Sequence, residues 1–236
     1  MPAAFRRRCG FETRTFPLGA AGDILWYTVI MIITISGKPG SGKGTVAKML
    51  AKKLRYRYFS IGEMRRAMAK ERGMSLEAFN RLGEKQGFTD REIDAWQQRQ
   101  GKKLDNAIFE GRTSFHFIPH SVKLFFDVNL NEASRRIAND GGHWRRFEVT
   151  TAVPTKTAIR RALMKRIASD SKRYRKYYGL DIFDRKHYDL VLNTTKMTPK
   201  EAARAIFIFL AKIKEKSRNV HKLRIKKGPY PQRVHK

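Results

Sequence analysis

Short apolar runs alternate along the chain with longer segments in which apolar residues recur at helical spacing. The apolar runs predict strands at 31–36, 107–109, 122–128 and 190–192. The helical spacing predicts helices at 43–54, 62–84 with a break at Gly73, 90–100, 131–140, 158–178 and from 199 to about 213. Strands that alternate with helices indicate βαβ units, and therefore an α/β fold with a doubly wound parallel sheet.

The last predicted helix has a clear start. Thr198 and Glu201 have the spacing of a capping box, and Pro199 stands at the first helical position. Beyond the helix, residues 216–236 carry eight basic side chains and no acidic one, which is typical of a tail rather than of a fold element. We therefore expect one folded domain over 31–213, followed by a basic tail at 214–236.

The first thirty residues differ from the rest of the chain. They contain four arginines, scattered glycine and proline, and little periodicity, and Met31 stands where a compact domain begins. Three interpretations are open: a start site placed too early, a disordered basic arm, or an arginine-rich targeting peptide. We favour the first two, so residues 1–30 are interpreted as a basic extension or a mis-called start.

Composition and charge narrow the class of protein. Hydrophobic residues make up 41% of the 236 positions, which is enough for a packed core. The 51 basic residues exceed the 21 acidic ones by 30, so the chain is expected to attract polyanions such as nucleotides or nucleic acid, unless the charge is only a solvated surface.

The single cysteine, Cys9, cannot form an internal disulfide and favours a reducing, cytoplasmic compartment. The apolar run at 24–35 is too short to span a bilayer, and we expect no membrane contact.

The strongest motif follows the first predicted strand. Its members are Gly37, Lys38, Pro39, Gly40, Ser41, Gly42, Lys43, Gly44 and Thr45. Glycines let a backbone approach a phosphate closely, and the helix that follows points its N-terminal amides at the anion. Lys43 is then expected to reach the β- and γ-phosphates of ATP, and the hydroxyl of Thr45 is expected to bind Mg²⁺.

This loop alone does not name an acceptor, because GTPases, ATPases, helicases and kinases share it. The glycine between Lys43 and Thr45 departs from the strict pattern, and this Gly-Lys-Gly-Thr variant resembles the nucleotide kinases. A second segment contains Ser60, Gly62 and, four residues after the glycine, Arg66. It is similar to the acceptor-binding segment of nucleoside monophosphate kinases, and a helix N-terminus with a guanidinium suits a monophosphate. The neighbouring Arg65 is expected to be a solvated helix residue.

Glu110 and Arg112 end the strand predicted at 107–109. An acid at the end of a buried strand beside a phosphate loop is expected to hold Mg²⁺ through water, and Arg112 is expected to point into the crevice where open α/β sheets bind ligands. Cytidylate kinases carry a similar Asp-Gly-Arg at this place, with the arginine near the acceptor.

The helix predicted at 158–178 carries a third set of charged residues. Arg166, Asp170 and Arg173 lie on one face, where the acid can orient arginines that clamp phosphates or the acceptor. The spacing resembles that of cytidylate kinases. With Arg160, Arg161 and Lys165, these residues are expected to form a basic lid, preceded at 141–157 by a mobile excursion.

Over about residues 31–213 the chain resembles the archaeal-type cytidylate kinases. The resemblance implies a P-loop kinase fold with a five-stranded parallel sheet, an NMP-binding region at about 60–100, a lid at about 138–175, ATP and Mg²⁺ as cofactors, CMP or dCMP as acceptor, and a monomer. It implies catalytic roles for Lys43, Arg166 and Arg173, and acceptor contacts from Ser60, Gly62, Arg66, Arg112 and Asp170. Two alternatives stay open: an adenylate-type or other small-metabolite kinase, and a P-loop ATPase associated with RNA or ribosomes through the basic tail.

Overall fold

The computed structural model of the protein describes residues 31–85, 88–139 and 155–226. The predictions for 1–30 and 227–236, and most of the excursion predicted at 141–157, lie outside these residues. The sheet consists of β1 (Met31–Gly37), β2 (Arg57–Ser60), β3 (Asn106–Glu110), β4 (Val122–Asp127) and β5 (Leu190–Asn193). All of its strand pairs are parallel, and the strand order is β2-β3-β1-β4-β5. The predicted α/β fold with a five-stranded parallel sheet is confirmed.

Up to the end of the sheet, the helices agree with the predicted ones in position, except that the short helix at Ser114–Phe117 was not predicted. They are α1 (Lys43–Leu54), α2 (Ile61–Glu71), α3 (Leu76–Lys85), α4 (Phe88–Lys103), α5 (Ser114–Phe117), α6 (Leu130–Ala138), α7 (Lys156–Tyr178) and α8 (Pro199–Lys226). Gly73 has a φ of 63° and separates α2 from α3, which confirms the predicted break. Helix α7 begins at Lys156, so the predicted excursion ends earlier than 157. Within the described part of the chain, no helix is both long enough and apolar enough to cross a bilayer.

The core lies on both faces of the sheet. On one face, Ile33, Ile35 and Phe126 pack against buried residues of α1 and α8. On the other face, Ile32 and Phe109 belong to a cluster with residues of α2, α3 and α4. Helices on both faces explain why β1 is buried along almost its whole length and reads as a continuous apolar run. Because β1, β3 and β4 run parallel, their carboxyl ends lie at the same edge of the sheet, where the charged residues also lie.

Helix α8 begins as predicted but ends later than predicted. The backbone amide of Thr198 donates to Glu201 Oε2 at 2.7 Å, and the amide of Glu201 donates to Thr198 Oγ1 at 3.3 Å, which confirms the capping box. The helix continues to Lys226, so its predicted end near Ile213 is wrong and the first part of the predicted tail is helical. Leu210 of α8 belongs to the core cluster, and the chain beyond it holds helix-forming residues and no glycine or proline before Gly228.

Candidate active site at the phosphate loop

The loop between β1 and α1 has the conformation that close approach to an anion requires. Gly42 is the N-cap of α1 and has a φ of 79°. Gly40 also has a positive φ, and a Cβ at that position would lie 2.8 Å from the Cβ of Ala133 in α6. The positive φ values and this close approach disfavour side chains here, so the loop leaves its backbone and the N-terminus of α1 accessible to an anion.

The side chains of Ser41 and Lys38 in this loop differ in their contacts. The hydroxyl of Ser41 is buried, and it has no hydrogen-bond partner among the described residues. Lys38 is engaged at both ends, since its amide donates to the carbonyl of Phe126 at 3.0 Å and its Nζ lies 2.7 Å from Asp127 Oδ1. A buried hydroxyl without a partner is rare in folded proteins and is expected to meet a ligand or water. Lys38 instead fastens the loop to the end of β4.

Lys43 lies against a carboxylate that two adjacent strands, β2 and β3, hold in place. Its Nζ is 3.7 Å from Glu110 Oε1, at the end of β3. The other carboxylate oxygen of Glu110 accepts hydrogen bonds from Ser60 Oγ at 2.9 Å and Tyr58 Oη at 3.3 Å. Strand pairing explains this convergence, because Ser60 and Glu110 are register partners on adjacent parallel strands. The sequence prediction placed Lys43, Ser60 and Glu110 in one site, and the structure brings them together.

Burial alters the acid–base behaviour of Lys43. Loss of hydration lowers its pKa to about 8, although Glu110 works in the opposite direction. The nearby guanidinium groups of Arg112 and Arg166 lower it further. Binding of a polyphosphate would strongly stabilise the Lys43 ammonium, because the anion offsets the repulsion from the nearby arginines as well as the cost of desolvation.

The acceptor segment predicted at Ser60–Arg66 forms the start of α2. Ser60 is the N-cap of this helix, and its Oγ accepts a hydrogen bond from the amide of Glu63 at 3.3 Å. The guanidinium of Arg66 folds back over the N-terminal turn, since its Nη1 would lie 3.6 Å from a Cβ placed on Gly62. A helix N-terminus and a guanidinium therefore face the same small space, which suits a phosphate group.

Asp170 on α7 is the centre of a buried cluster of arginines. Its carboxylate forms an ion pair with Arg112, which follows β3, and a second with Arg173 Nη2 at 3.1 Å. Arg166 Nε lies 4.0 Å from the same carboxylate. Asp170 and Arg173 are 2% and 1% exposed. The predicted shared face of 166, 170 and 173 on α7 is confirmed, and Arg112 joins it from another element.

The arginine cluster around Asp170 carries more positive than negative charge. Burial lowers the pKa of Arg166 to about 10, and the charge of Arg112 adds to this effect. Burial alone would raise the pKa of Asp170, but Arg112, Arg173 and Arg166 together hold that pKa below its ordinary value. Asp170 stays ionised, and it offsets one of the surrounding positive charges.

Arg65 was expected to be solvated, and this expectation is wrong. It is only 6% exposed. Its Nη2 donates to Asn80 Oδ1 at 3.1 Å, and its guanidinium lies 5.3 Å from the ring centroid of Phe79. The reason is helical spacing: Ile61, Met64 and Met68 of α2 are also buried, and position 65 falls on their face.

Arg136 on α6 has a structural role that was not predicted from the sequence. Its Nη2 donates to the carbonyl of Thr194 at 2.6 Å, of Thr195 at 3.2 Å and of Met197 at 3.3 Å, while its Nε donates to Glu132 at 2.8 Å. One guanidinium thus fixes the loop between β5 and α8. No local pattern reveals this, because the partners are about sixty positions away.

A cavity of about 710 Å³ opens between this loop and the phosphate loop. Its size suits a nucleotide. The cavity is lined by the phosphate loop, α6 and the β5–α8 loop, including Gly40, Ser41, Gly42, Thr45, Arg135, Arg136, Asn139, Thr194, Thr195 and Pro199. Thr45, the predicted Mg²⁺ ligand, lies on its wall. The described residues hold no group of three or more His, Cys, Asp and Glu side chains suited to a metal ion.

A parallel five-stranded sheet with this loop between its central strand and α1, and with a second set of arginines across the crevice, is the architecture of a P-loop kinase. Solved structures show the same fold. They include an uncharacterized protein from Eubacterium ventriosum (TM-score 0.54, 17% identity, 77% of this chain and 98% of that one). Another is shikimate kinase from Acinetobacter baumannii (TM-score 0.51, 15% identity, 81% of this chain and 98% of that one).

Within this class, the chain belongs to the cytidylate kinase-like family, whose sequence profile matches residues 32–196. It is 36% identical over 185 residues to cytidylate kinase from Methanocella arvoryzae, which covers 78% of this chain and 99% of that protein. It is 37% identical over 174 residues to cytidylate kinase from Methanocorpusculum labreanum, which covers 72% of this chain and 91% of that protein. The resemblance seen in the sequence is confirmed.

Proposed function

We propose that the protein transfers the γ-phosphoryl group of ATP to CMP or dCMP. The observation that carries the proposal is the meeting of two phosphate-binding surfaces: the loop with buried Lys43, and the arginines held around Asp170. Glu110, which contacts Lys43, and Arg112, which pairs with Asp170, lie two positions apart at the end of β3, and this supports the view that the two surfaces belong to one site. The names of the relatives support cytosine as the base, and the single cysteine supports a cytoplasmic compartment.

The ATP phosphates bind the loop at 37–45 in this proposal, and the adenosine extends into the cavity beside Arg136. Arg136 acts indirectly, since it fixes the cavity wall at 194–197. Mg²⁺ fits the oxygen donors present, the hydroxyl of Thr45 and, through water, the carboxylate of Glu110. When bound, the ion supplies charge neutralisation at the β- and γ-phosphates.

The acceptor phosphate binds across the crevice, between the N-terminus of α2 and the arginine cluster. Gly62 and Arg66 contribute from one side and Arg112 and Arg173 from the other. Asp170 offsets one of the positive charges around it, which come from Arg65, Arg112, Arg166 and Arg173. A dianionic monophosphate offsets two more, so charge alone favours this class of acceptor over an uncharged metabolite.

The reaction needs no general base, because the acceptor phosphate is already ionised at neutral pH. An oxygen of the acceptor phosphate forms a bond to the γ-phosphorus as the bond to the β,γ-bridging oxygen breaks, and ADP leaves. Lys43, Arg166 and Arg173 then stabilise charge on the transferring group. Catalysis consists of positioning and charge stabilisation.

An acceptor panel tests this proposal. Purified protein with ATP and Mg²⁺ is given CMP, dCMP, UMP and AMP in separate reactions, and ADP release is coupled to NADH oxidation. We expect the kcat/KM of CMP and dCMP to exceed that of AMP by at least about fivefold, since one unmatched polar group on a base costs on the order of 1–3 kcal/mol. Preference for AMP would instead support an adenylate-type kinase. ATP hydrolysis stimulated by RNA, with no phosphorylated monophosphate, would support the ATPase alternative.

We also propose that the basic C-terminal segment makes nonspecific contact with nucleic acid. Residues 216–236 hold eight basic residues and no acid, and their first part, up to Lys226, continues α8. Truncation after Glu215 removes all eight charges and leaves the buried residues of α8 in place. Such contacts are independent of sequence and weaken as salt releases counterions.

The truncated protein is therefore expected to bind a single-stranded RNA oligonucleotide more weakly, with a salt slope smaller by up to about 6. CMP phosphorylation by the same preparation should stay unchanged. Fluorescence anisotropy at several salt concentrations measures the slope. Replacement of Lys102 and Lys103 by glutamine, at the end of α4, is the matched control for loss of charge elsewhere. Equal RNA binding by the full-length and truncated proteins would refute the contact.

A further inference from the structure

Two buried arginines on different helices share one neutral acceptor. Arg65 of α2 donates from Nη2 to Asn80 Oδ1 at 3.1 Å, and Arg173 of α7 donates from Nη1 to the same oxygen at 3.3 Å. Both arginines are almost fully buried. Asn80 lies in α3, which contacts α2 and α7. A single side-chain carboxamide thus connects three helices.

The two helices joined by Asn80 carry the two halves of the proposed acceptor site. In α2, Arg66 directly follows Arg65 and faces the helix N-terminus at Gly62. In α7, Arg173 pairs with Asp170, which also holds Arg112. A shift of Arg65 relative to Arg173 therefore changes the spacing between the groups that bind the acceptor phosphate.

The chemical type of the shared acceptor matters as much as its position. Two guanidinium groups repel each other in a buried site, and an oxygen between them lowers that cost. A carboxylate would hold both arginines more strongly, because charge-assisted pairs are stronger than bonds to a neutral amide. It would also neutralise one positive charge that attracts the acceptor phosphate. A carboxamide holds the arginines and leaves the charge in place.

We propose that Asn80 is a positioning residue for the acceptor site: its neutral carboxamide holds Arg65 and Arg173 in register while it preserves their positive charge for the acceptor monophosphate. The inference rests on the proposed function, because it takes the acceptor to be a monophosphate. Asn80 acts through the two arginines and makes no contact with the reacting atoms.

Two substitutions separate positioning from simple packing. Asn80→Ala removes the shared acceptor, so we expect the KM for CMP to rise on the order of tenfold, as for loss of bonds to charged groups, with a lower Tm. Asn80→Asp keeps the shape and bonds of the side chain but adds a negative charge. For this variant we expect a Tm equal to or above that of the wild type and a KM for CMP raised at least about fivefold. The KM for ATP should change less than twofold in both variants.

The matched control is Arg81→Ala, the next residue on α3. Arg81 is exposed and pairs only with Glu77 in the described contacts, so its loss should leave both KM values unchanged. A merely structural role predicts that Asn80→Asp restores the wild-type KM for CMP, and that result would overturn the inference. A wild-type protein that phosphorylates no monophosphate would overturn the proposed function and this inference with it. A wild type active on CMP with unchanged Asn80 variants would overturn this inference alone.

Discussion

Lys43→Ala should lower the kcat of phosphoryl transfer by about 10³-fold, the size of effect seen when one charge-stabilising donor is removed from an active site. Lys43 is largely shielded from solvent beside Glu110, whereas Lys38, the other cation of the phosphate loop, pairs with Asp127. Without it, Glu110 keeps its negative charge close to the polyphosphate, so one attraction is replaced by one repulsion. Steady-state kinetics with saturating ATP and CMP measures the change.

The fold of this variant should survive. Burial lowers the pKa of Lys43 to about 8, which means that the folded state holds this ammonium at a cost. Its removal therefore costs little stability, and we expect the Tm to stay close to that of the wild type. Lys48→Ala is the matched control: Lys48 lies one turn further along α1, is 61% exposed and faces Glu63. Near-normal turnover by Lys43→Ala would disprove the assignment of the loop.

Asp170→Leu should be strongly destabilising and should abolish activity. The carboxylate pairs with Arg112 and Arg173 and lies near Arg166 in a buried site. Removing one partner of a buried charge network leaves the other charges uncompensated, at a cost of about 3–5 kcal/mol. Urea denaturation followed by circular dichroism measures the loss in the free energy of unfolding.

Asp170→Asn separates charge from shape in the same position. It keeps the volume and acceptor oxygen but removes the negative charge, so we expect a smaller loss of stability and a still large loss of kcat. The control is Glu77→Gln, because Glu77 pairs with Arg81 and Lys165 on the surface and exposed pairs contribute little. If Asp170→Leu were as stable as the control, the arginines would not depend on Asp170.

Local patterns were enough to predict most of the fold. The phosphate loop, β1 and α1 follow one another in the sequence, so their bounds could be read from glycine positions and apolar spacing alone. The strand β2 was not predicted from its pattern, since Arg57–Ser60 is short and only its last residue is buried. The extension of α8 was missed because residues 216–226 carry five basic side chains and were interpreted as part of a charged tail.

The site was predictable where one segment carries several of its groups and not where partners come from distant segments. Arg166, Asp170 and Arg173 lie within eight positions, so a helical wheel finds them. Asn80 meets Arg173 across 93 positions, and no spacing rule reveals such a contact. Arg65 is the exception, because its place on the apolar face of α2 was a signal for burial that its charge concealed.

Helix α8 puts a long distance between the cavity at its N-terminal end and the basic residues at its C-terminal end. Pro199 lines the cavity beside the phosphate loop, and Lys226 lies about 40 Å further along the helix at 1.5 Å per residue. Salt at physiological strength screens charges over about 8 Å. The charges at the far end therefore have almost no electrostatic effect on the cavity, and a polyanion bound there would leave the affinity for ATP unchanged.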